Sequence, residues 1–413
     1  MSSQLIIKIG QLINAGSQRP VLKGPELRHL PVIHNAWLLT EEDHIAGFGT
    51  MDSLPETLRH HKQCTDAEGR MVLPAWCDSH THLVFAASRE NEFLDKLNGL
   101  SYADIAARGG GILNSAGKVN ELSEDALFNG AWQRLEELAR LGTGAVEIKS
   151  GYGLSVEGEL KMLRVIKRLK QKSKLLIKST FLGAHAYPPA YAQNHRGYIE
   201  LIIREMLPVI VRDQLADYID VFCETGFFSP AETEEICKAG LAAGLKPKLH
   251  VNQLNSIGGL ATAVKVKALS ADHLETMTDT DIGLLKASAT IGTLLPTAAF
   301  FLRLPYQPAR KLIDQGCAIA LASDYNPGSS PSGNMNFVVS LSCIQMKMLP
   351  EEAINAATIN GAYAMELQQE AGTITKGKKA NLFLTRQIPS VAYLPYAFGS
   401  NLVEKVMISG EWI

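Results

Sequence analysis

Strand-like and helix-like hydrophobic periods divide this chain into two β-rich ends and an alternating middle. Residues 1 to about 70 carry the short apolar runs LIIKIG, HNAWLLT and HIAGFG between Gly, Pro and charged turns, the pattern of a small β unit. The stretch 366–413 behaves alike. There GTITKGKKANLFLTR and LVEKVMISGEWI read as strand, turn, strand, punctuated at Gly377-Lys378 and Ser409-Gly410. The opening residues MSSQLIIKIGQLINAG lack the charged start, long apolar core and small-residue cleavage site of a secretory leader, and read as a strand. Chain ends commonly lie close together, so the two β-rich ends are expected to pair around a central domain.

Between them, residues 71–365 alternate strand-like runs with helical patterns. ELSEDALFNGAWQRLEELARLG and SVEGELKMLRVIKRLKQ both space their apolar residues at the helical period. Repeated strand–helix units imply a parallel sheet. Eight strand candidates can be read: LPAWCDSHTH, GAVEIKSGYG, KLLIKSTFLGAH, YIDVFCETGF, LKPKLHVNQ, ALSADHLE, ATIGTLLPTA and AIALASDYNPG. That number closes a barrel, so the predicted fold is α/β: a (β/α)8 TIM-type barrel over 71–365, with a small composite β-sandwich built from 1–70 and 366–413. A doubly wound open sheet is the alternative, but no G-x-G-x-x-G follows the first strand. The run GGGILNSA, Gly109 to Ala116, is glycine-rich yet neither directly follows a strand nor carries a phosphate-loop lysine.

Composition narrows the function classes. The chain's 413 residues exceed the usual single-domain length and accommodate a barrel of about 250 residues plus a smaller unit. With 46% hydrophobic and 20% charged residues and a formal charge of −2, nothing suggests a nucleic-acid or acidic-membrane partner. Cys64, Cys77, Cys223, Cys237, Cys317 and Cys343 are scattered without a C-x-x-C, which fits a reducing cytoplasm. No apolar stretch reaches the ~18 residues of a membrane span.

The histidines sort by position. In a (β/α)8 barrel the C-terminal strand ends form the active face. His80 and His82 fall at the end of strand one, His185 at strand three, His250 at strand five and His273 at strand six. Residues two apart on a strand share a face, so both imidazoles of His80-Thr81-His82 point to one side. His29, His34, His44, His60, His61 and His195 lie in terminal or connecting segments and are expected at the surface. Strand eight ends in ASDYNPGSSPSG, which puts Asp324 on the same rim. Taken from strands one, five and eight, His80, His82, His250 and Asp324 make a compact set of three nitrogens and one oxygen. Such a set leaves a coordination position for water.

These features together resemble the amidohydrolase superfamily, across essentially the whole chain. Within it, SHTHLVFAASRENEF, EIKSGYGL, FLGAHAYP, HVNQLN, SADHLE and SDYNPGSSP are similar to the imidazolonepropionase family, the ring-opening enzymes of histidine degradation. The resemblance implies metal-dependent hydrolysis of the cyclic amide of 4-imidazolone-5-propanoate to N-formimidoyl-L-glutamate. It implies Asp324 as the proton-transfer carboxylate, and His273 as the group that orients water and stabilises the developing oxyanion. Arg89, seven residues beyond His82, offers a bidentate fork for the substrate carboxylate. Tyr152 and His185 should contact the substrate, Gln253 should read the ring edge, and Asn326, Gly328 and Ser329 should line the strand-eight loop. Binuclear members of the superfamily use a lysine after strand four, where this chain has Glu224; Lys149 follows strand two instead. One zinc or iron ion per subunit is therefore expected, in a cytoplasmic homodimer. Glu224 itself is open between a partner of the metal site and a packed, hydrogen-bonded carboxylate. A ring deaminase and a catalytically dead scaffold are the competing readings. Arg89 argues against the first, and the intact ligand set against the second.

Overall fold

The computed structural model describes residues 3–100, 108 and 110–413; Gly109, the first residue of the glycine-rich run, lies outside them. The chain opens with β1 (Ser3–Ile13), β2 (Val32–Glu41), β3 (His44–Thr50), β4 (Cys64–Asp66) and β5 (Met71–Pro74). The middle carries β6 (Trp76–Thr81), β7 (Thr143–Lys149), β8 (Leu176–Ala184), β9 (Tyr218–Cys223), β10 (Lys246–Val251), β11 (Ser270–His273), β12 (Ile291–Leu294) and β13 (Ile319–Leu321). It closes with β14 (Leu382–Thr385), β15 (Val403–Ile408) and β16 (Glu411–Trp412).

Two sheets result. The terminal one runs β16-β15-β14-β5-β1-β2-β3, with β4 also paired to β1. The register of β1 shifts between Ile6 and Ile9, where Lys8 has φ 50°, and its edge passes from β4 to β5 across that irregularity. β5 pairs antiparallel with β14, which joins the two chain ends. A bridge between His44 and Lys379 returns the far edge toward the same segment. Inward side chains of nearly every strand, among them Ile6, Leu38, Ile45, Val72, Leu382 and Met407, meet in one buried cluster, so the sheet wraps its own core.

The run LPAWCDSHTH is shared between the sheets. Ala75 N donates to Asn381 O (3.0 Å), while the next amide, Trp76 N, donates to Gly142 O (2.8 Å). Residues 71–74 thus belong to the terminal sheet and the first barrel strand begins at Trp76.

In the second sheet β6 to β13 follow chain order and pair in parallel. Strand one meets strand eight through Asp324 N donating to His80 O (3.0 Å) and His82 N donating to Tyr325 O (2.8 Å). Below that seam the Asp78 carboxylate accepts from Ser323 N (3.0 Å) and Ser323 Oγ (2.5 Å). The hydrogen bonds that close the barrel therefore run through the candidate ligand residues themselves. Outer helices bury one stripe each: the helix Glu124–Arg140 turns Leu127, Phe128, Ala131, Leu135 and Leu138 inward, and Ser123 Oγ caps it by accepting from Ala126 N. No helix among the described residues is long and apolar enough to cross a membrane.

Buried amides rivet the N-terminal segment to the barrel. Asn360 Oδ1 accepts from Leu22 N (2.8 Å), and its Nδ2 donates to Leu22 O (2.9 Å) and Ile319 O (2.7 Å). Asn360→Ala removes all three bonds and leaves their backbone partners dry, so a loss of about 3 kcal/mol of stability is expected, read as a lower urea midpoint. An unchanged midpoint would mean that the segment is held elsewhere.

Candidate active site

His80, His82 and His250 reach one buried point from opposite sides of the barrel. His82 Nε2 and His250 Nε2 are 3.3 Å apart, and Asp324 Oδ1 lies 3.5 Å from His80 Nε2 and 3.6 Å from His82 Nε2. The far nitrogens explain the orientation. His80 Nδ1 bonds Asp272 Oδ2 at 2.7 Å, and His250 Nδ1 lies 2.9 Å from Asp220 Oδ2. At His80 the hydrogen-bonded carboxylate keeps the proton on Nδ1 and leaves the Nε2 lone pair facing the shared point, whereas the Asp220 contact of His250 is one of distance alone. His80 Nε2 is buried and has no hydrogen-bond partner. Burial also drives all three imidazoles well below the ordinary histidine range, so they are neutral. Three converging imidazole lone pairs beside a carboxylate, with one nitrogen orphaned, fit a divalent cation with a preference for nitrogen and oxygen ligands.

Asp324 and His273 are placed by unusual backbone. Asp324 has φ 53°, and His273 and Leu274 have φ 85° and 67°. Left-handed non-glycine residues cost about 1 kcal/mol each. At His273 they break strand alternation, so that Asp272 and His273, neighbours in sequence, both serve the same site. Nε2 or Nδ1 of His80 and His273 and a carboxylate oxygen of Asp324 form a second close group. Burial pushes the Asp324 carboxyl up to about 6, with His273 and the Ser329 hydroxyl (3.1 Å) working against it. Burial alone would lower His273, but the Glu275 carboxylate, 3.4 Å from Nδ1, and Asp324 raise it. None of the remaining six histidines is buried.

Beneath these residues lies a charge network that the sequence reading missed. Lys149 Nζ contacts Glu147 Oε1 (2.6 Å), Asp220 Oδ2 (2.8 Å) and Asp272 Oδ2 (3.4 Å), all fully buried. Lys248 pairs with the other Glu147 oxygen and donates to Ala364 O (2.8 Å). Burial opposes a charged Lys149, yet the surrounding carboxylates raise it well above the ordinary lysine range. The signal was the strand period: Glu147 and Lys149, Lys248 and His250, and Asp272 and Ser270 are each two apart and share the inward face.

Beside the histidine cluster, on the side of His185, opens a cavity of about 500 Å³. Arg89, Tyr152, His185, Gln253, Asn326, Gly328 and Ser329 all line it, with apolar walls from Ile112, Phe222, Phe227, Leu302 and Leu304. Lys96 also lines it, a cation the sequence reading did not name; of the apolar walls, Phe222 comes from β9 and Ile112 and Leu302 from helix ends. His185 stacks on His82 (centroids 5.3 Å apart, 18° between planes), and its Nδ1 faces Gly151 O at 3.1 Å. A Cβ on Gly151, whose φ is +109°, would come 2.8 Å from that nitrogen. Glu224 is a packed carboxylate of the rim: it accepts from Thr225 N (2.8 Å), Leu254 N (2.9 Å), Asn255 N (3.1 Å) and Asn255 Nδ2 (3.0 Å). It thereby fixes the loop that carries Gln253.

Asp272→Asn replaces an obligate acceptor at His80 Nδ1 with a group able to donate. Metal affinity should fall about 10–100-fold, measured by competition with a chromophoric chelator. Undiminished affinity would mean that Asp272 does not set the His80 tautomer.

Comparison with known proteins agrees with this geometry. The amidohydrolase family model matches residues 71–413. An imidazolonepropionase of Flavobacterium johnsoniae is 59% identical over 392 residues, 95% of each chain. One from Christiangramia forsetii is 54% identical over 411 residues, 99% of each chain. Among solved structures, an adenosine deaminase of Xanthomonas campestris with bound zinc superposes with a TM-score of 0.72 over 99% of this chain and 92% of that one, at 16% identity, a likeness of fold. The chain belongs to the amidohydrolase family and, within it, to the imidazolonepropionases, hydrolases of carbon–nitrogen bonds.

Proposed function

We infer that this chain hydrolyses 4-imidazolone-5-propanoate to N-formimidoyl-L-glutamate, using one zinc or iron ion per subunit held by His80, His82, His250 and Asp324. The observation that carries the reading is a convergent His/Asp set joined, through His185 stacked on His82 and Ser329 bonded to Asp324, to a cavity lined by Arg89. The likeness to imidazolonepropionases over nearly the full chain supports the substrate.

The bound ion would supply Lewis acidity, polarising the ring carbonyl and acidifying a water at neutral pH. The side chains do the rest. Asp324, raised toward neutrality by burial, takes the proton of the attacking water and returns it to the ring nitrogen as the C–N bond breaks. His273, which burial would lower but the Glu275 carboxylate raises, donates to the carbonyl oxygen as charge develops there. Arg89 grips the propanoate carboxylate. Tyr152, His185 and Gln253 orient the ring, and Asn326, Gly328 and Ser329 shape the strand-eight side. As an amide, Gln253 has no part in proton transfer.

Purified protein is expected to turn over 4-imidazolone-5-propanoate, to lose activity on chelation, and to regain it with one equivalent of zinc or iron. Arg89→Ala should raise KM about 10–100-fold, the value of a charge-assisted carboxylate fork, with a smaller effect on kcat. Chelator-insensitive turnover would sink the mechanism. Unchanged apparent affinity in Arg89→Ala would sink the carboxylate assignment.

A further inference from the structure

Arg89 has a flexible side chain at an exposed-loop junction, yet its guanidinium is held in one place. It stands just before the helix Glu90–Leu97. Glu92, in the first turn of that helix, is buried. Its Oε2 accepts from Arg89 Nε (2.8 Å) and Nη2 (2.5 Å). Its Oε1 accepts from Gly111 N (3.0 Å) and lies 3.5 Å from Asn114 Nδ2. Gly111, with φ 84°, is the cap residue of the helix Ile112–Glu121, whose first residue lines the cavity. The glycine-rich run, unassigned by the sequence, thus has a use: one bare amide reaches Glu92 from a left-handed turn. Burial would raise the Glu92 carboxyl, but pairing with Arg89 outweighs it and holds the group below its usual range, as an anion.

The opposite side of the guanidinium is also fitted. A Cβ on Gly328 would stand 2.3 Å from Arg89 Nη1, so the guanidinium lies close against the Gly328 backbone. Glu92 engages the Nε–Nη2 edge, and Nη1 is the corner it does not hold. The distance from that corner to the ligand cluster is consequently set by the fold before any ligand arrives, which removes the ordering cost from binding.

We propose that Glu92 is a positioning residue for substrate recognition: by locking Arg89 against Gly328 it sets the length of the carboxylate side chain that the cavity accepts. This rests on the reading that Arg89 receives the substrate carboxylate. The test compares wild type, Glu92→Ala, Glu92→Gln and Arg89→Ala on 4-imidazolone-5-propanoate and on its acetate homologue, one methylene shorter. Glu92→Ala should raise KM for the propanoate about 10–100-fold, keep kcat within about threefold, and shrink the preference over the acetate homologue about tenfold. Glu92→Gln keeps the shape and one acceptor oxygen, so it should raise KM about 3–10-fold. Metal content by elemental analysis should match wild type in both. If Glu92→Ala is insoluble, the Gln variant decides alone. Unchanged KM and unchanged homologue preference in a folded Glu92 variant, or loss of kcat together with metal, would overturn the proposal. A raised KM in Arg89→Ala with none in the Glu92 variants rejects the role of Glu92 only, whereas unchanged KM in Arg89→Ala rejects the carboxylate reading beneath it.

Discussion

Lys149 Nζ sits among the carboxylates of Glu147, Asp220 and Asp272 in a space closed to water, and the orientation of His80 and His250 follows from it. Ionised carboxylates in such a place are strongly disfavoured unless cations and hydrogen bonds satisfy them. Lys149 and Lys248 do so incompletely: three carboxylates face two ammoniums. Asp272, which burial would raise but Lys149 and Lys248 hold below the usual carboxylate range, fixes the tautomer of His80, and Asp220 stands 2.9 Å from His250 Nδ1. The site is thus a stack: ammonium, carboxylate, imidazole, then the point where the imidazoles meet.

The same strands close the barrel and carry the candidate ligand residues. His80 O and Asp324 N hydrogen-bond across the seam between strands one and eight, so ligand spacing on that side is a property of barrel closure. Where regular strand geometry would turn a side chain away, the backbone departs from it, at His273, Leu274 and Asp324. Left-handed backbone concentrated at strand ends is the cost of making adjacent residues serve one site. Around the cavity is a second layer, in which polar residues are held by partners that do not line it. Glu224 aims the Gln253 loop, and Glu92 holds Arg89.

Much of this was readable in one dimension. The strand period paired His80 with His82, the repeat of strand and helix counted out eight barrel strands, and the residues expected to contact substrate border one cavity. The reading faltered where one apolar run serves two sheets: nothing local in LPAWCDSHTH marks Ala75 as the residue whose amide turns to Asn381 while the next turns to Gly142. It named Lys149 only as a lysine after the wrong strand, and passed over Lys248 and Asp272. A charged residue inside a strand pattern looks solvent-facing until its partners, distant in sequence, are placed beside it.

The sequence by itself determined the fold class, the order of the strands and which residue types stand at their ends, because periodicity and composition are local and accumulate along the chain. Only the tertiary structure decided which lone pairs converge, which carboxylate holds which imidazole, and how Arg89 is aimed. Those depend on contacts such as Asp272 with His80, 192 residues apart, whose distances are set when the barrel closes.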